Sequence, residues 1–209
     1  MHVQPADGSA RVMKKLLTWL RRPPPPRSDA PVPPPHVVKQ RVLREFAERY
    51  ELKVFVETGT YRGDMVQAMK PLFDKIYSIE LGDELFAKAK RRFEQDTHVE
   101  LIHGDSGKEL GRIMERLQQP ALFWLDGHYS AGDTARGEKD TPLYEELEQI
   151  LRAPDLGHVI VIDDARCFGS DPAYPTLPAL TAYVRSRRPE VEIAVADDSI
   201  RITPGRAGP

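Results

Sequence analysis

The sequence predicts a doubly wound α/β domain, in which a mostly parallel sheet is covered by helices on both faces. From residue 36 onwards, short β-branched runs alternate strictly with amphipathic helical patterns, which is typical of parallel strands joined by crossover helices. Residues 191–203 instead hold two apolar runs around an Asp-Asp-Ser turn, which indicates paired antiparallel strands. At 209 residues, the chain is long enough for one such domain and too short for two ordinary ones.

The first 35 residues are expected to lie outside this domain. They end in the proline-rich stretch "RRPPPPRSDAPVPPPH", which favours extended polyproline geometry and cannot bury a core. The segment before it, "VMKKLLTWLRR", is short, basic and amphipathic. We therefore predict a disordered tail over residues 1–35 and a folded domain over residues 36–209. A polyproline ligand or a membrane-touching segment is the alternative for the tail.

Apolar residues at helical spacing mark the helices, beginning with Val38, Val42, Phe46 and Tyr50. Such spacing places the apolar side chains on one face, which the sheet can then cover. The predicted helices span about residues 36–50, 64–73, 85–93, 110–117, 143–151 and 177–187.

Continuous apolar runs that stop at a glycine or an acid mark strands buried on both faces. In chain order these runs are "KVFVETG", "KIYSIEL", "HVELIHGD", "PALFWLDG" and "HVIVIDD". Two short strands at 191–195 and 199–203 complete the sheet.

Each of the five predicted parallel strands delivers an acid to its carboxyl end. The carboxyl ends of parallel strands meet at one edge, where α/β proteins bind their ligands. One such acid often only ends a strand or caps a helix. Several at one edge repel one another unless cations or hydroxyls engage them, so we predict a ligand site there. The acids are Glu57, Glu80, Asp105, Asp126 and the pair Asp163-Asp164.

The loop after the first strand, "ETGTYRGD", differs from the dinucleotide-binding fingerprint. It keeps Gly59 and Gly63, but Tyr61 stands where the fingerprint has its middle glycine, and a side chain there obstructs a pyrophosphate. This argues against a nicotinamide-dependent oxidoreductase. Glu80 lies about 20 residues further on, where an acid binds ribose hydroxyls. The pattern favours a ligand with a ribose and without phosphates.

The motifs "FVETGTYRGD", "IYSIEL", "IHGDS" and "FWLDGHYSAGDT" resemble those of class I S-adenosylmethionine-dependent methyltransferases. The resemblance covers about residues 36–203 and implies a Rossmann-like sheet of seven strands. It places the first loop at the methionine part of the cofactor, Glu80 at the ribose, and Asp105 near the adenine. Two interpretations of Tyr61 stay open: its ring shapes the methionyl pocket, or it only packs. The cofactor-binding residues implied are Glu57, Thr58, Gly59, Tyr61, Gly63, Glu80, Asp105, Ser106 and Asp126.

The chain resembles one branch of this family more closely, the metal-dependent O-methyltransferases of macrocin type. The resemblance implies that Asp126, Asp163 and Asp164 bind Mg²⁺, which prefers oxygen ligands in octahedral geometry. It also implies methyl transfer to a hydroxyl of a small molecule, a sugar or natural product. Neighbouring residues of an extended strand point to opposite faces, so both acids reach one ion only if the strand ends at Ile162.

The general base has two candidates. His128 lies two residues after Asp126 and titrates near neutrality; it is the base, a further metal ligand, or a structural residue of its loop. Asp126 itself is the other candidate. His103 and Cys167 are expected to be passive.

Two loops flank this edge. Residues 128–142 form a long polar segment that closes over an acceptor or is a mobile surface loop. Residues 164–178 offer Arg166 and Tyr174 for acceptor contacts.

Charge and composition limit the classes of partner that we expect for this chain. The formal net charge is −2, which gives no indication of nucleic acid or anionic membranes, and no run approaches the ~20 apolar residues of a membrane span. A single cysteine fits a reducing compartment, so we expect a cytoplasmic protein. The helix at 36–50 caps the cofactor or forms a homo-oligomer interface. The alternative function is a non-catalytic S-adenosylmethionine-binding module, tethered to a partner by its proline-rich tail.

Overall fold

The computed structural model describes residues 33–127 and 141–205. Within them, a seven-stranded sheet is covered by α-helices on both faces. Strands β1 to β7 span Val54–Thr58, Lys75–Glu80, Val99–His103, Ala121–Leu125, Val159–Ile162, Glu192–Ala196 and Ser199–Thr203. Helices α1 to α6 span His36–Arg49, Asp64–Met69, Asp83–Arg92, Ser106–Met114, Leu143–Arg152 and Leu177–Arg187. A short 3₁₀ turn covers Ala165–Cys167.

The strand order is β3-β2-β1-β4-β5-β7-β6. Strands β1 to β5 run parallel to one another, whereas β7 runs antiparallel to both β5 and β6. The predicted doubly wound, Rossmann-like sheet of seven strands is therefore confirmed. The chain moves outwards from β1 to β3 and then returns to β4, so the switch point lies between β1 and β4.

Each face of the sheet has its own apolar core. On one face, Leu43 of α1 and Val66 of α2 pack with Trp124 of β4. On the other face, Leu110 of α4 and Leu147 of α5 belong to the second cluster. Both clusters are almost fully buried, which is why the parallel strands are apolar on both sides rather than alternating.

Two helices differ from the prediction by three or more residues at an end. The helix predicted over 64–73 ends at Met69, because Pro71 has no N–H to continue the helical hydrogen bonds. The helix predicted over about 110–117 ends at Met114 and begins four residues earlier than predicted, at Ser106. There the side chain of Asp105 accepts a hydrogen bond from the backbone N–H of Gly107 at 3.0 Å, which makes Asp105 the N-cap.

The hairpin between β6 and β7 has the predicted turn. Asp197 and Asp198 have φ of 48° and 57°, the left-handed pair that matches the right-handed twist of two-residue hairpins. Ala196 and Ser199 face each other across the turn.

Helix α1 starts at His36, directly after Pro35. Residues 1–32 of the predicted tail lie outside the described residues. In the parts of the chain that the structure describes, there is no helix long and apolar enough to cross a membrane.

Candidate active site

The carboxyl ends of β1 to β5 bring the predicted acids to one edge. Glu57, Glu80 and Asp163 are at most 5% exposed. Side chains two residues apart on a strand lie on the same face, so these acids share the face of Phe55, Ile76 and Val161. Helices α1 and α2 cover this face. Buried carboxylates need donors or cations nearby, so their partners indicate what the edge is built to hold.

The glycine loop packs directly against the loop after β4. Gly59 has φ +82°, and a Cβ added there would lie 2.5 Å from the backbone oxygen of Asp126. No other residue fits this position without moving the backbone. The close approach brings the segments after β1 and β4 together at the switch point.

Glu80 is held by backbone donors. The N–H of Tyr61 donates to Glu80 Oε2 at 2.7 Å, and the N–H of Gly82 donates to Oε1 at 2.8 Å. Each carboxylate oxygen keeps a second lone pair that can accept from a ligand hydroxyl. Tyr61 adopts φ +50° and its side chain is 40% exposed. Its backbone therefore orients Glu80, while its ring lies outside the core.

Glu57 is held by a chain of hydroxyls. Ser78 Oγ donates to Glu57 Oε2 at 2.5 Å, and Thr60 Oγ1 lies 2.6 Å from Ser78 Oγ. Burial raises the pKa of Glu57 well above its ordinary value; the hydrogen bond from Ser78 opposes this, and the charges of Asp126 and Glu80 add to it. The proton therefore stays on Glu57 at a higher pH than on an exposed glutamate.

The three aspartates predicted as metal ligands converge. Strand β5 ends at Ile162, and Asp164 adopts φ +57°, so the chain bends immediately after Asp163. Carboxylate oxygens of Asp126, Asp163 and Asp164 all lie within 4.8 Å of one another. The early end of the strand thus satisfies the geometric condition for both acids to face one ion.

Two cationic side chains contact this cluster. Lys39 of α1 forms an ion pair with Asp163 Oδ2, and its Nζ is 3.9 Å from Asp164 Oδ1. Arg166 donates to Asp164 Oδ1 at 2.6 Å and also pairs with Asp198. Asp163 Oδ1 is buried and has no hydrogen-bond partner among the described residues. An all-oxygen set with one orphaned carboxylate oxygen fits a hard divalent cation.

The pKa values follow from burial and these contacts. Burial lowers the pKa of Lys39, but the carboxylate of Asp163 outweighs it, so the net pKa is raised. Burial raises the pKa of Asp163, and Asp164 adds to the rise against the opposing charge of Lys39. Burial also lowers the pKa of Arg166, which Asp164 and Asp198 more than reverse.

Glu146 was missed by the sequence reasoning. It is 2% exposed, and its Oε1 accepts a hydrogen bond from Ser106 Oγ at 2.6 Å. A Cβ on Gly127 would lie 2.9 Å from the same oxygen. Glu146 therefore links the segments that follow β3 and β4. The detectable signal was an acid three residues after Leu143, inside the apolar stripe of its helix.

Lys39 was missed for a related reason. It precedes the buried Val42 and Leu43 by three and four residues, so it lies on the core-facing side of α1. A cation at that position of the pattern needs an acid partner.

The remaining predicted residues have mixed positions. His128 and residues 129–140 of the predicted acceptor loop lie outside the described residues. Tyr174 lies near the cluster: burial raises its pKa, and Asp164 is the largest contributing charge. His103 is exposed and stacks on Phe86 with ring centroids 4.7 Å apart. Cys167 is free and partly buried, and burial raises its pKa.

Comparison with solved structures shows where this fold occurs. An O-methyltransferase from Bacillus cereus in complex with S-adenosylhomocysteine (SAH) has 14% identity and a TM-score of 0.57, covering 95% of this chain and 92% of its own. TomG from Streptomyces achromogenes, an O-methyltransferase of tomaymycin synthesis, has 16% identity and a TM-score of 0.55, covering 97% and 92%. The 23S rRNA methyltransferase ErmE has 16% identity and a TM-score of 0.50, covering 81% and 69%.

A scan against protein-family models and a search of curated proteins each found no match. At such identities the structural likeness shows a shared fold. The chain has the Rossmann-like fold of these methyltransferases, with β7 antiparallel within an otherwise parallel sheet.

Proposed function

We propose that the protein transfers a methyl group from S-adenosylmethionine to a hydroxyl of a small-molecule acceptor, with assistance from Mg²⁺. The observation that carries this proposal is the convergence of Asp126, Asp163 and Asp164 within 4.8 Å beside the glycine loop. Binding of the methyl donor alone does not require three converging carboxylates. A hydroxyl acceptor held on a hard cation does.

The carboxyl ends of β1 and β2 form one half of the edge, the β1–β2 half, which fits the methyl donor. Gly59 lets the loop after β1 pack against the Asp126 carbonyl at the switch point, since any Cβ there would clash with that oxygen. Glu80 is preorganised by two backbone donors to accept from both ribose hydroxyls. Asp105 and Ser106 stand at the start of α4 near the proposed adenine position. Both have internal partners, in Gly107 and Glu146, so they shape that position.

The β4–β5 half fits the cation and the acceptor. The three aspartates would hold Mg²⁺, which would lower the pKa of the acceptor hydroxyl and fix its oxygen near the methyl donor. Arg166 and Tyr174 lie on the segment after β5, and both are near Asp164. We propose that they contact the acceptor.

A proton must leave the acceptor hydroxyl as its oxygen bonds to the methyl carbon. Asp126 stands between the two halves, with its backbone N–H donating to Thr58 O at 3.2 Å. We propose Asp126 or His128 as the base. Methyl transfer is an in-line displacement, so the positions of the two reacting atoms supply much of the rate.

Two neighbours support opposite classes of acceptor. TomG acts in the synthesis of tomaymycin, whereas ErmE is a 23S rRNA methyltransferase. The net charge of −2 favours the small molecule, because nucleic-acid binding is carried largely by positive charge. We place this activity in the cytoplasm, in a domain spanning residues 36–209.

Calorimetry with SAH tests the methyl-donor part of the proposal. We expect micromolar binding by the full chain, and loss of about 100-fold in affinity in Glu80→Ala, because the ribose hydroxyls lose their acceptor. The matched control is Glu100→Ala, an acid on β3 that pairs with Arg116 and Lys75. Absence of SAH binding to the wild-type chain would refute the proposal.

Turnover tests the metal part. SAH release is measured with panels of catechols and hydroxylated sugars, in MgCl₂ and in EDTA. Asp163→Asn combined with Asp164→Asn should abolish release, whereas Asp155→Asn, an acid that pairs with Arg188, should not. Turnover that survives both EDTA and the double variant contradicts metal assistance and leaves methyl transfer intact.

A further inference from the structure

A lysine from the first helix already contacts the acidic cluster. Lys39 forms an ion pair with Asp163 Oδ2, and its Nζ lies 3.9 Å from Asp164 Oδ1. The side chains of Lys39 and Asp163 are 14% and 2% exposed, so water screens this pair weakly. The ammonium is thus a cation built into the proposed metal site.

Among the described residues, the charges at the cluster leave an excess of negative charge, which favours a further cation. Asp126, Asp163 and Asp164 carry three formal negative charges, and Lys39 supplies one positive charge. Arg166 supplies another, but it is shared with Asp198. The buried Asp163 Oδ1, which has no hydrogen-bond partner in the described part of the chain, shows that the ammonium leaves part of this carboxylate unsatisfied.

An ammonium that contacts Asp163 and lies 3.9 Å from Asp164 Oδ1 opposes the binding of Mg²⁺ between these carboxylates. Ligand oxygens approach Mg²⁺ to about 2.0–2.1 Å in a tight octahedron. A lysine ammonium within hydrogen-bond range of the same carboxylate would intrude on that shell and repel the ion.

The geometry points to Lys39 as an intramolecular cation that competes with a divalent cation for Asp163 and so sets the affinity of the site. This inference rests on the metal part of the proposed function. Lys39 leaves Asp163 when the divalent cation binds, and the first turn of α1 loses its ion pair with the segment that follows β5. The flexible four-carbon stem can keep the ammonium near the ring of Trp124, whose centroid is now 5.9 Å away.

The chain contains a matched control lysine. Lys70 pairs with Asp96 at 2.8 Å, with side chains 23% and 20% exposed. Its Nζ also lies 5.9 Å from an aromatic centroid, that of Phe93. Lys70 therefore has an acid partner and an aromatic neighbour as Lys39 does, but its acid is less buried and the two additional aspartates are missing.

Lysine labelling of the wild-type chain tests the displacement directly. Acetic anhydride modification of each lysine is followed by mass spectrometry in MgCl₂ and in NaCl of equal ionic strength. We expect labelling of Lys39 to rise about fivefold or more in MgCl₂, because its ammonium loses a buried partner, while labelling of Lys70 stays constant. Equal labelling of Lys39 in both salts would overturn the inference.

Affinity for Mn²⁺ tests the competition. Binding of MnCl₂ is measured by electron paramagnetic resonance on the wild-type chain, Lys39→Met and Lys70→Met. We expect Lys39→Met to bind Mn²⁺ about tenfold tighter or more, and Lys70→Met to match the wild type. Unchanged or weaker binding by Lys39→Met overturns the inference. Absence of Mn²⁺ binding by both the wild-type chain and Lys39→Met overturns it as well.

A second variant guards against misfolding. Lys39→Met combined with Asp163→Asn removes both buried charges, and should bind Mn²⁺ at least tenfold more weakly than Lys39→Met. Equal binding by these two variants would contradict competition at Asp163. SAH binding in EDTA, measured on the same samples, separates failure of this inference from failure of the proposed methyl-donor site.

Discussion

The two halves of the carboxyl edge stabilise their buried acids by different means. At the ends of β1 and β2, Glu57 and Glu80 accept hydrogen bonds from a serine hydroxyl and from backbone N–H groups. At the ends of β4 and β5, Asp163 is opposed by Lys39 and Asp164 by Arg166. Both halves lie at the same edge of one sheet.

This difference separates a fixed site from an exchangeable one. Backbone and hydroxyl donors are fixed by the strands and by the turns that follow them, so they orient a carboxylate for a neutral polar ligand without rearrangement. Lysine and arginine side chains are long, and another cation can replace them. The unpartnered Oδ1 of Asp163, among the described residues, lies in the half that depends on side-chain cations.

A substitution at the junction between the two halves should cause the largest loss of stability. Gly59→Ala places a Cβ 2.5 Å from the Asp126 carbonyl, at φ +82°. The alanine needs backbone movement as well as a left-handed conformation, so we expect a loss of about 3–4 kcal/mol in the free energy of unfolding. Urea denaturation measures this loss, and SAH affinity should fall with it.

Gly157→Ala is the control for backbone conformation. Gly157 has φ +80°, but the nearest atom to an added Cβ, on Pro204, is 3.9 Å away. This variant should lose only about 1 kcal/mol. Equal losses in the two variants would mean that the close contact of Gly59 with Asp126 contributes nothing to the free energy of unfolding.

Removing a cation should destabilise the β4–β5 half in the absence of metal. Lys39→Met leaves the carboxylate of Asp163 buried and uncompensated, so we expect a loss of about 3 kcal/mol in EDTA. Adding Asp163→Asn should recover most of that loss. Both are measured by urea denaturation, with Lys70→Met as the control at about 1 kcal/mol.

A loss below about 1 kcal/mol for Lys39→Met would indicate that Asp163 is protonated or hydrated without the lysine. The distinction between fixed and exchangeable stabilisation would then fail on the β4–β5 side.

The fold could be predicted because its signals are local. Apolar runs such as "VIVI" and helical periodicity depend on neighbouring residues, and alternation of the two limits the topologies. The acids could also be predicted, because the position of a residue at the end of a strand fixes the edge where it lies. Helix ends were less predictable, since Pro71 and the Asp105 cap act through single hydrogen bonds.

The partners of the acids could not be predicted from local pattern. Lys39 and Asp163 are 124 residues apart, and Ser106 and Glu146 are 40 apart. Such pairs depend on how helices cross the sheet, which no short motif encodes. A charge inside an apolar stripe indicates that a partner exists without identifying it.

The pH dependence of stability should sharpen the comparison on the β1–β2 side. Burial raises the folded-state pKa of Glu57 well above 4.5. At pH values between the unfolded-state pKa and the folded-state pKa, the native state therefore binds more protons than the unfolded state. Stability therefore falls as the pH rises through this window, by up to about 1.4 kcal/mol per pH unit. Glu57→Gln should abolish that fall in urea titrations at successive pH values.

His158 provides an opposite trend in the same titration. It lies at the amino end of β5, where its Nδ1 accepts from the N–H of Ala121 at 3.1 Å. Burial lowers its pKa to about 4, so stability falls as the pH drops from about 6.5 towards 4. Glu57→Gln should retain this acid-side loss. If Glu57→Gln follows the wild-type curve on both sides, Glu57 titrates as an exposed acid.

The smallest effect is expected at Tyr61, where backbone and ring have separable roles. Its backbone N–H donates to Glu80, and Tyr61 itself adopts φ +50°. Asparagine tolerates this conformation and valine does not. Tyr61→Asn should therefore change stability by less than about 0.5 kcal/mol, whereas Tyr61→Val should lose about 1–2 kcal/mol. SAH calorimetry on Tyr61→Asn then isolates the ring. An affinity within twofold of the wild type means that the ring is dispensable, and that Glu80 with its backbone donors suffices. A tenfold loss at unchanged stability would instead assign the ring to the methionyl pocket, and the β1–β2 half would then depend on a side chain as well as on fixed donors.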